Sequence, residues 1–170
     1  MRRPPASVVF LAVLMLALGE TAGAAMSELR PALQRYARAR IAANAPAHGL
    51  AGSAEYDDEV IGRAVFTAEA GLSFLHTHAQ GLPAVTLLAS TLVATVVPWR
   101  RARGALHLLL GVGTLFPLGY LVYGLAVLEA GRDAGVTLAE GWVLTPLGSA
   151  AILGLLGLAA ALAARRTPAT

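Results

Sequence analysis

The sequence predicts an all-α integral membrane protein: a four-helix bundle of membrane spans, with a short amphipathic helix on its outer side. Three observations support this fold class. Of the 170 residues, 56% are hydrophobic and only 14% are charged, which is unusual for a soluble domain. Four apolar stretches reach the roughly 20 residues that a membrane helix needs. Clusters of arginine also separate these stretches in the pattern that orients membrane helices.

The four spans are predicted to form a single membrane domain that covers residues 1–170. An outer segment of about residues 26–67 follows the first span, and a short outer segment of about residues 129–140 separates the last two. Trp99 and Trp142 lie at the predicted interfaces, as in the aromatic belts of membrane proteins. The predicted spans are approximately residues 7–25, 70–97, 105–128 and 142–163.

Arginine supplies all thirteen basic residues, and its distribution predicts the orientation. The positive-inside rule places three clusters, and with them both termini, on the cytoplasmic side. The implied location is the bacterial cytoplasmic (inner) membrane. The net charge of +3 is spread over short hydrophilic segments, so nucleic acid is excluded as a partner. The three clusters are Arg2 with Arg3, Arg100 with Arg101 and Arg103, and Arg165 with Arg166.

The first span has two interpretations. Residues 1–24 also have the shape of a secretory signal, with basic residues, an apolar centre and a small-residue site at Ala22, Gly23 and Ala24. Cleavage there would leave three spans. A retained anchor is preferred, because an even number of helices closes a four-helix bundle and Glu20 is a costly residue in a disposable segment.

The outer segment contains the predicted amphipathic helix. It begins near Ser27 and Pro31 and either lies on the membrane surface or caps the bundle. Its apolar face consists of Leu33, Tyr36, Ala37 and Ile41, and its arginines lie mostly elsewhere. The following stretch, residues 45–59, is predicted to be a loop whose acidic residues are solvated, and residues 56–67 lead helically into the second span.

The second span carries a polar stripe within the stretch EAGLSFLHTHAQGLP, residues 69–83. At helical spacing, one face holds Glu69, Ser73, His76 and Gln80. His78 lies about 200° around the helix from His76. The two histidines therefore cannot bind one metal ion from an unbroken helix, although a kink at Pro83 would change this.

Counting inward from the cytoplasmic arginines places polar residues of all four spans at one depth, near the outer face. Polar groups in hydrocarbon are costly, so this coincidence predicts a functional site. The alternative is that these groups hydrogen-bond to one another and hold the bundle together. The residues predicted to converge are Glu20, His76, His78, Gln80, Tyr120, Tyr123, Thr145 and Ser149, with Tyr123 facing the histidines.

The chain has no cysteine, which excludes disulfides, thiolate zinc sites, iron–sulfur clusters and covalently attached haem. No phosphate-binding glycine loop, nucleophile elbow or HExxH motif is present, so independent enzyme activity is not predicted. His107 is predicted to lie at the cytoplasmic interface, more than about 20 Å from His76 by helix rise. His48 is predicted to lie in a polar loop.

The segment LHTHAQGL, Leu75 to Leu82, resembles the start of the second membrane helix in nitric oxide reductases and related haem-copper oxidases. There a Leu-His-Thr-Asn-Ala run carries an axial ligand of the low-spin haem b. The resemblance implies that His76 is a haem ligand and that His78 stands where the family commonly has asparagine. The family's other metal ligands come from later helices that this chain lacks. The chain also resembles small four-helix bacterial membrane proteins with a His-x-His motif, which implies a topology only.

These observations predict a small membrane protein that binds haem b, or as a second expectation copper, near its outer face. It would serve electron transfer or support a respiratory complex. His76 and His78 are the candidate metal ligands, and Gln80, Tyr120 and Tyr123 complete the candidate cofactor site. The second axial ligand is open: His78 after a helix distortion, His76 of a second copy in a homodimer, or none.

Two other functions remain open. The first is a cofactor-free accessory or structural subunit of a larger membrane complex, whose outer amphipathic segment contacts the partner. The second is a small proton-coupled transporter that uses Glu20 and His76. Inverted halves and discontinuous helices, which are typical of such transporters, are absent from the sequence pattern.

Overall fold

The structure, a computed structural model, describes residues 3–165, with the side chain of Arg165 left out. The described residues form helices and their connections, with no strand among them, which confirms the all-α prediction. A 3₁₀ turn, Ala45–His48, follows the second helix, and a π-helical segment, Glu140–Leu144, precedes the last. The helices are α1 Ala6–Glu28, α2 Arg30–Ala43, α3 Ala54–Val96, α4 Arg100–Gly113, α5 Leu118–Ala130, α6 Arg132–Ala139 and α7 Thr145–Arg165.

Within the described residues, four continuous or nearly continuous helical stretches are long and apolar enough to cross a membrane. Their number agrees with the four predicted spans, and each predicted span lies within one stretch, except that the second ends one residue past Val96. Arg2 and Arg166, on which the predicted orientation partly depends, lie outside the described residues. The stretches are Ala6–Glu28, Ala54–Val96, Arg100–Ala130 and Arg132–Ala164.

The third stretch is divided into α4 and α5 by a tight turn at residues 114–117. Leu115, Phe116 and Leu118 each donate their backbone N–H to the carbonyl three residues earlier, which is the 3₁₀ pattern. Thr114 is fully buried there, and its hydroxyl donates to the carbonyl of Leu110 at 2.8 Å. The helix therefore tightens and continues, a feature that the hydropathy pattern does not predict.

The fourth stretch begins with α6, so the short outer segment predicted at residues 129–140 is mostly helical. The π segment joins α6 to α7, and Thr145 donates its backbone N–H to Glu140, five residues earlier. Pro146 has no N–H to donate, which explains why the regular hydrogen-bonding pattern changes just before it.

Close backbone contacts hold the bundle together. A Cβ atom built on Gly113 of α4 would lie 2.5 Å from Cα of Ala151 in α7, and one on Gly71 of α3 would lie 2.8 Å from the carbonyl oxygen of Tyr120. Only glycine permits helices to approach this closely, as at many helix contacts in membranes. The core between α3, α4 and α7 is formed by Ala89, Val93, Val97, Leu110 and Leu158.

Helix α3 has 43 residues and is therefore about 65 Å long, roughly twice the thickness of a hydrocarbon layer. Its first part forms a small second core with the segments around it. We call this region the cap: α2, the 3₁₀ turn, residues 54–68 of α3, and α6. Ala37 and Ile41 of α2 are buried against α3 and α5 in this core, so α2 caps the bundle, one of its two predicted placements.

Ion pairs hold the surface of the cap. Arg40 of α2 donates two hydrogen bonds to Glu129 of α5, at 2.8 and 2.5 Å, and these contacts raise the pKa of Arg40. Arg38 contacts Asp58 at 2.9 Å. Asp57 accepts the backbone N–H groups of residues 51 and 52, each at 2.9 Å. Asp57 and Asp58, which belong to the acidic stretch predicted to be solvated, therefore hold the connection before α3 and α2 in place.

Gly113→Ala tests the contact between α4 and α7. The added methyl group meets backbone atoms of Ala151, which cannot move aside as a flexible side chain would. We expect the free energy of unfolding to fall by about 1–3 kcal/mol, as for other overpacked contacts. Thermal unfolding in detergent would measure this loss.

The matched control is Gly81→Ala in α3, where a new Cβ meets nothing within 4 Å. Alanine also favours a helix over glycine, so its unfolding temperature should be unchanged or higher. Equal unfolding temperatures for the two variants would contradict the close contact at Gly113.

Candidate functional site

His76 faces α1. Its Nδ1 lies 2.8 Å from the carbonyl oxygen of Gly19, and its half-buried ring rests on Gly23, where a Cβ atom would lie 2.6 Å from the imidazole. A carbonyl oxygen only accepts hydrogen bonds, so Nδ1 carries the hydrogen, and in the neutral imidazole Nε2 is the nitrogen with the lone pair. The small residues of α1 therefore make room for the imidazole.

His78 faces the opposite side of α3. Its Nδ1 donates to the carbonyl of Phe74, one turn earlier, at 2.9 Å. Its ring centroid lies 4.8 Å from that of Tyr120, 5.6 Å from that of Phe116 and 6.2 Å from that of Phe74. Contacts at these distances are typical of packed aromatic side chains. His78 is therefore part of an aromatic cluster between α3 and α5.

Pro83 does not separate the two halves of α3, because the helix is continuous from Ala54 to Val96. The angle predicted between the two histidines is therefore kept, with His76 against α1 and His78 against α5. The two rings do not lie together on one side of the chain.

The remaining polar residues of the stripe divide between two neighbours. Gln80 donates to Glu20 of α1 at 2.9 Å, so these two predicted site residues do meet, at an exposed position. Glu69 instead contacts α2: Gln34 donates to it at 2.8 Å, and Arg30 lies 3.5 Å away. The side chain of Ser73 is exposed.

The predicted partners from the third and fourth stretches also separate. Tyr120 stacks on His78, and its ring lies 6.5 Å from that of Tyr123, so the tyrosines join the aromatic cluster. Thr145 and Ser149 are exposed residues of α7. The α7 residue that packs on the cluster is Gly148, against the ring of Phe116. The eight predicted residues thus form separate contacts around α3 and α7.

Two other histidines have contacts that the sequence analysis missed. Nδ1 of His107 lies 2.9 Å from the hydroxyl of Ser90, which is fully buried, so this pair joins α4 to α3. His107 therefore packs against α3, and its expected position at the membrane interface stays a prediction. Ser90 could have indicated this contact from the sequence, because a polar side chain within an apolar stretch needs a hydrogen-bond partner.

His48 is buried in the cap and not in a polar loop. Its Nε2 lies 3.0 Å from the carbonyl oxygen of Leu128, so it joins the 3₁₀ turn to α5. Burial of an imidazole is costly unless its polar atoms find partners, and Leu128 supplies one. All four histidines of the chain thus have one ring nitrogen hydrogen-bonded within the protein.

Among residues 3–165, His, Asp and Glu side chains form no group of three or more that could hold a metal ion. Comparison of the chain with protein-family models, curated proteins and solved structures finds no match. Evidence for function therefore comes from the contacts of the chain's own side chains.

His76→Ala tests the contact between α3 and α1. The variant removes a hydrogen bond and leaves space beside Gly23, so we expect the free energy of unfolding to fall by about 1–3 kcal/mol. Thermal unfolding in detergent would measure the change.

Thr77→Ala is the control one residue away, because Thr77 is exposed and its hydroxyl donates only to Ser73 within α3. Its unfolding temperature should stay close to that of the unaltered protein. If His76→Ala and Thr77→Ala had the same unfolding temperature, the contact of His76 with α1 would have no stabilising role.

Proposed function

We propose that this chain is a multi-pass membrane protein that serves as a cofactor-free accessory subunit of a larger membrane assembly. The observation that carries the proposal is that polar side chains of the apolar helices form hydrogen bonds to neighbouring helices. His76 bonds to Gly19, Gln80 bonds to Glu20, and Ser90 pairs with His107. Each contact joins two helices, and such hydrogen bonds hold helices together in membranes.

Membrane insertion is supported by the surface of the four long helices. In their most apolar windows, only 17–39% of the residues are buried within the protein. Continuous apolar surface on this scale is rare on soluble monomers, whereas lipid tails would cover it. Examples spread over these helices are Phe10, Leu88, Ile152 and Leu156, each more than half exposed.

Charge supports the proposed orientation. Arg100, Arg101 and Arg103 begin α4 at one end of the bundle and stand next to one short connection, whereas cap arginines such as Arg38 and Arg40 at the other end are paired with carboxylates. By the positive-inside rule, the connection between α3 and α4 is cytoplasmic and the cap is outside. Both termini are then cytoplasmic, in the inner membrane if the source is bacterial. The close packing of α1 on α3 supports its retention as a span.

Single-cysteine labelling tests this orientation directly, because the chain has no cysteine of its own. Ser53→Cys lies in the exposed connection before α3, and Pro98→Cys lies in the exposed connection before α4. In intact cells, we expect a membrane-impermeant maleimide to label residue 53, and to label residue 98 only after permeabilisation. The opposite pattern would invert the proposed topology.

The cap supplies the proposed partner surface. Tyr36 of α2 and Tyr56 of α3 are 54% and 51% exposed, and both lie beyond the predicted spans, where lipid tails do not cover them. Tyrosine is enriched at protein interfaces and among the residues that contribute most to binding. These side chains support a cap that contacts another subunit.

Native electrophoresis of gently solubilised membranes from the source organism tests the assembly. We expect the chain to migrate in a species much larger than itself with bound detergent. A Tyr36→Ser/Tyr56→Ser variant should reduce that species by about tenfold or more, as for loss of strong interface residues.

Phe10→Ala is the control for this experiment, because Phe10 is 65% exposed but lies in the apolar helix α1. It should leave the large species unchanged. Migration of the unaltered chain at its own size alone would rule out a stable assembly.

One observation favours a second candidate function, the binding of haem b or copper through His76. Donation from Nδ1 to a backbone carbonyl leaves Nε2 for a metal, which is the usual arrangement of ligating histidines. The residues of one chain nevertheless do not fit a haem with two protein ligands, because α1 packs on the His76 ring and His78 faces the other way. A second ligand would have to come from a second copy.

An absorbance spectrum separates the two functions. We expect detergent-solubilised protein, purified from cells supplied with haem, to lack a stoichiometric Soret band in both oxidised and reduced forms. A stoichiometric band that disappears in His76→Ala but persists in Thr77→Ala would replace the accessory-subunit proposal with haem binding.

A further inference from the structure

We propose that the cap binds a phosphate-type oxyanion between Arg63 of α3 and Arg132, the first residue of α6. Two cavities, of about 430 and 520 Å³, open at this place, and both arginines line both of them. The arginines come from different helices and meet at one cleft, which we call the arginine cleft. The lining of this site includes neither His76 nor His78, and neither of the exposed tyrosines of the proposed partner surface.

The lining of the larger cavity suits an anion. Its polar side chains are the two arginines, Thr67 and Tyr123, and its lining includes no carboxylate. The hydroxyl of Thr67 donates to the carbonyl of Arg63 at 2.8 Å, which fixes its position. Guanidinium groups offer several donors in a planar arrangement that matches phosphate oxygens. The volume lies in the range of small-ligand pockets, about 300–1,000 Å³.

Charge pairing distinguishes Arg132 from most arginines of the cap. Arg38 and Arg40 contact carboxylates of other helices, whereas the side chain of Arg132 forms no ion pair or hydrogen bond within the described part of the chain. Its positive charge is therefore not neutralised by a partner.

Arg63 does have a partner, Glu59, one turn earlier on α3. Both side chains of this pair are more than half exposed, and such pairs contribute little to stability. An anion in the cleft can therefore bind the N–H groups of Arg63 that Glu59 does not occupy, or compete with Glu59 for the others. Asp133 and His48 line only the smaller cavity, so the larger one is the better position for the anion.

Two sources could supply the oxyanion, a phospholipid headgroup or phosphate free in solution. Phe66 and Ala70 line the same cavity, at the end of the cap that is nearest to the predicted apolar span. The side chain of Phe66 is 73% exposed. A charged end next to an apolar wall would accommodate a lipid headgroup, and the arginines alone would accommodate free phosphate. The shared chemistry is the phosphate group.

The test uses the full-length protein in a neutral detergent. Inorganic phosphate is titrated at constant ionic strength by calorimetry, and retention of phosphatidylglycerol or phosphatidylcholine is compared by native mass spectrometry. The variants are Arg132→Gln and Arg63→Gln. Arg35→Gln is the control, since Arg35 is an exposed arginine of α2 that lines neither cavity.

We expect Arg132→Gln to weaken binding by about tenfold or more, because a hydrogen bond to a charged group is lost. Arg63→Gln should weaken binding in the same direction, and Arg35→Gln should stay within about twofold of the unaltered protein. Arg132 is exposed, so the unliganded unfolding temperature should not change and the fold is retained.

Each outcome decides the proposal. Binding of inorganic phosphate that depends on Arg132 identifies a free anion, and retention of phosphatidylglycerol that depends on Arg132 identifies a lipid headgroup. Absence of both, or binding that all three variants reduce equally, would overturn the arginine cleft. This result is independent of the assembly measured by electrophoresis.

Discussion

The unbroken geometry of α3 is the constraint on which the other contacts depend. Pro83 removes one backbone hydrogen bond, yet the helix continues from Ala54 to Val96 and Pro83 is fully buried within the bundle. Because the helix is continuous, side chains one or two residues apart meet different neighbours. His76 reaches α1, His78 reaches the aromatic cluster, and Ser90 reaches α4. A break in the helix between these residues would have changed each of these contacts.

Much of the fold could be predicted from the sequence, because the bilayer requires a minimum apolar length and amphipathic helices bury one face. The four long apolar helical stretches and the buried positions of α2 follow from these two requirements. The turn between α4 and α5 could not be predicted, since Thr114 is buried by donating to its own helix and leaves the hydropathy pattern intact. Pro146 is visible in the sequence, but hydropathy does not predict that the segment before it is π-helical.

The candidate site was less predictable than the fold. Helical periodicity correctly gave the angle between His76 and His78, but it could not say which helix each ring would meet. Contacts such as Gly23 with His76 depend on small residues far away in the sequence. Counting residues inward from the arginines correctly predicted that Glu20 lies near Gln80. The same count could not distinguish polar side chains at equal depth in the membrane from side chains in contact. The resemblance of residues 75–82 to a haem-binding helix likewise stays a prediction.

The length of α3 also has a mechanical consequence. Asp58 contacts α2 in the cap, and Ser90 contacts α4 about 48 Å further along the same helix. Pro83 lies between these two contacts, and because it supplies no backbone N–H, the helix is easiest to bend there. Tilting of the cap is therefore expected to bend α3 at Pro83, between the cap and the contact with His107.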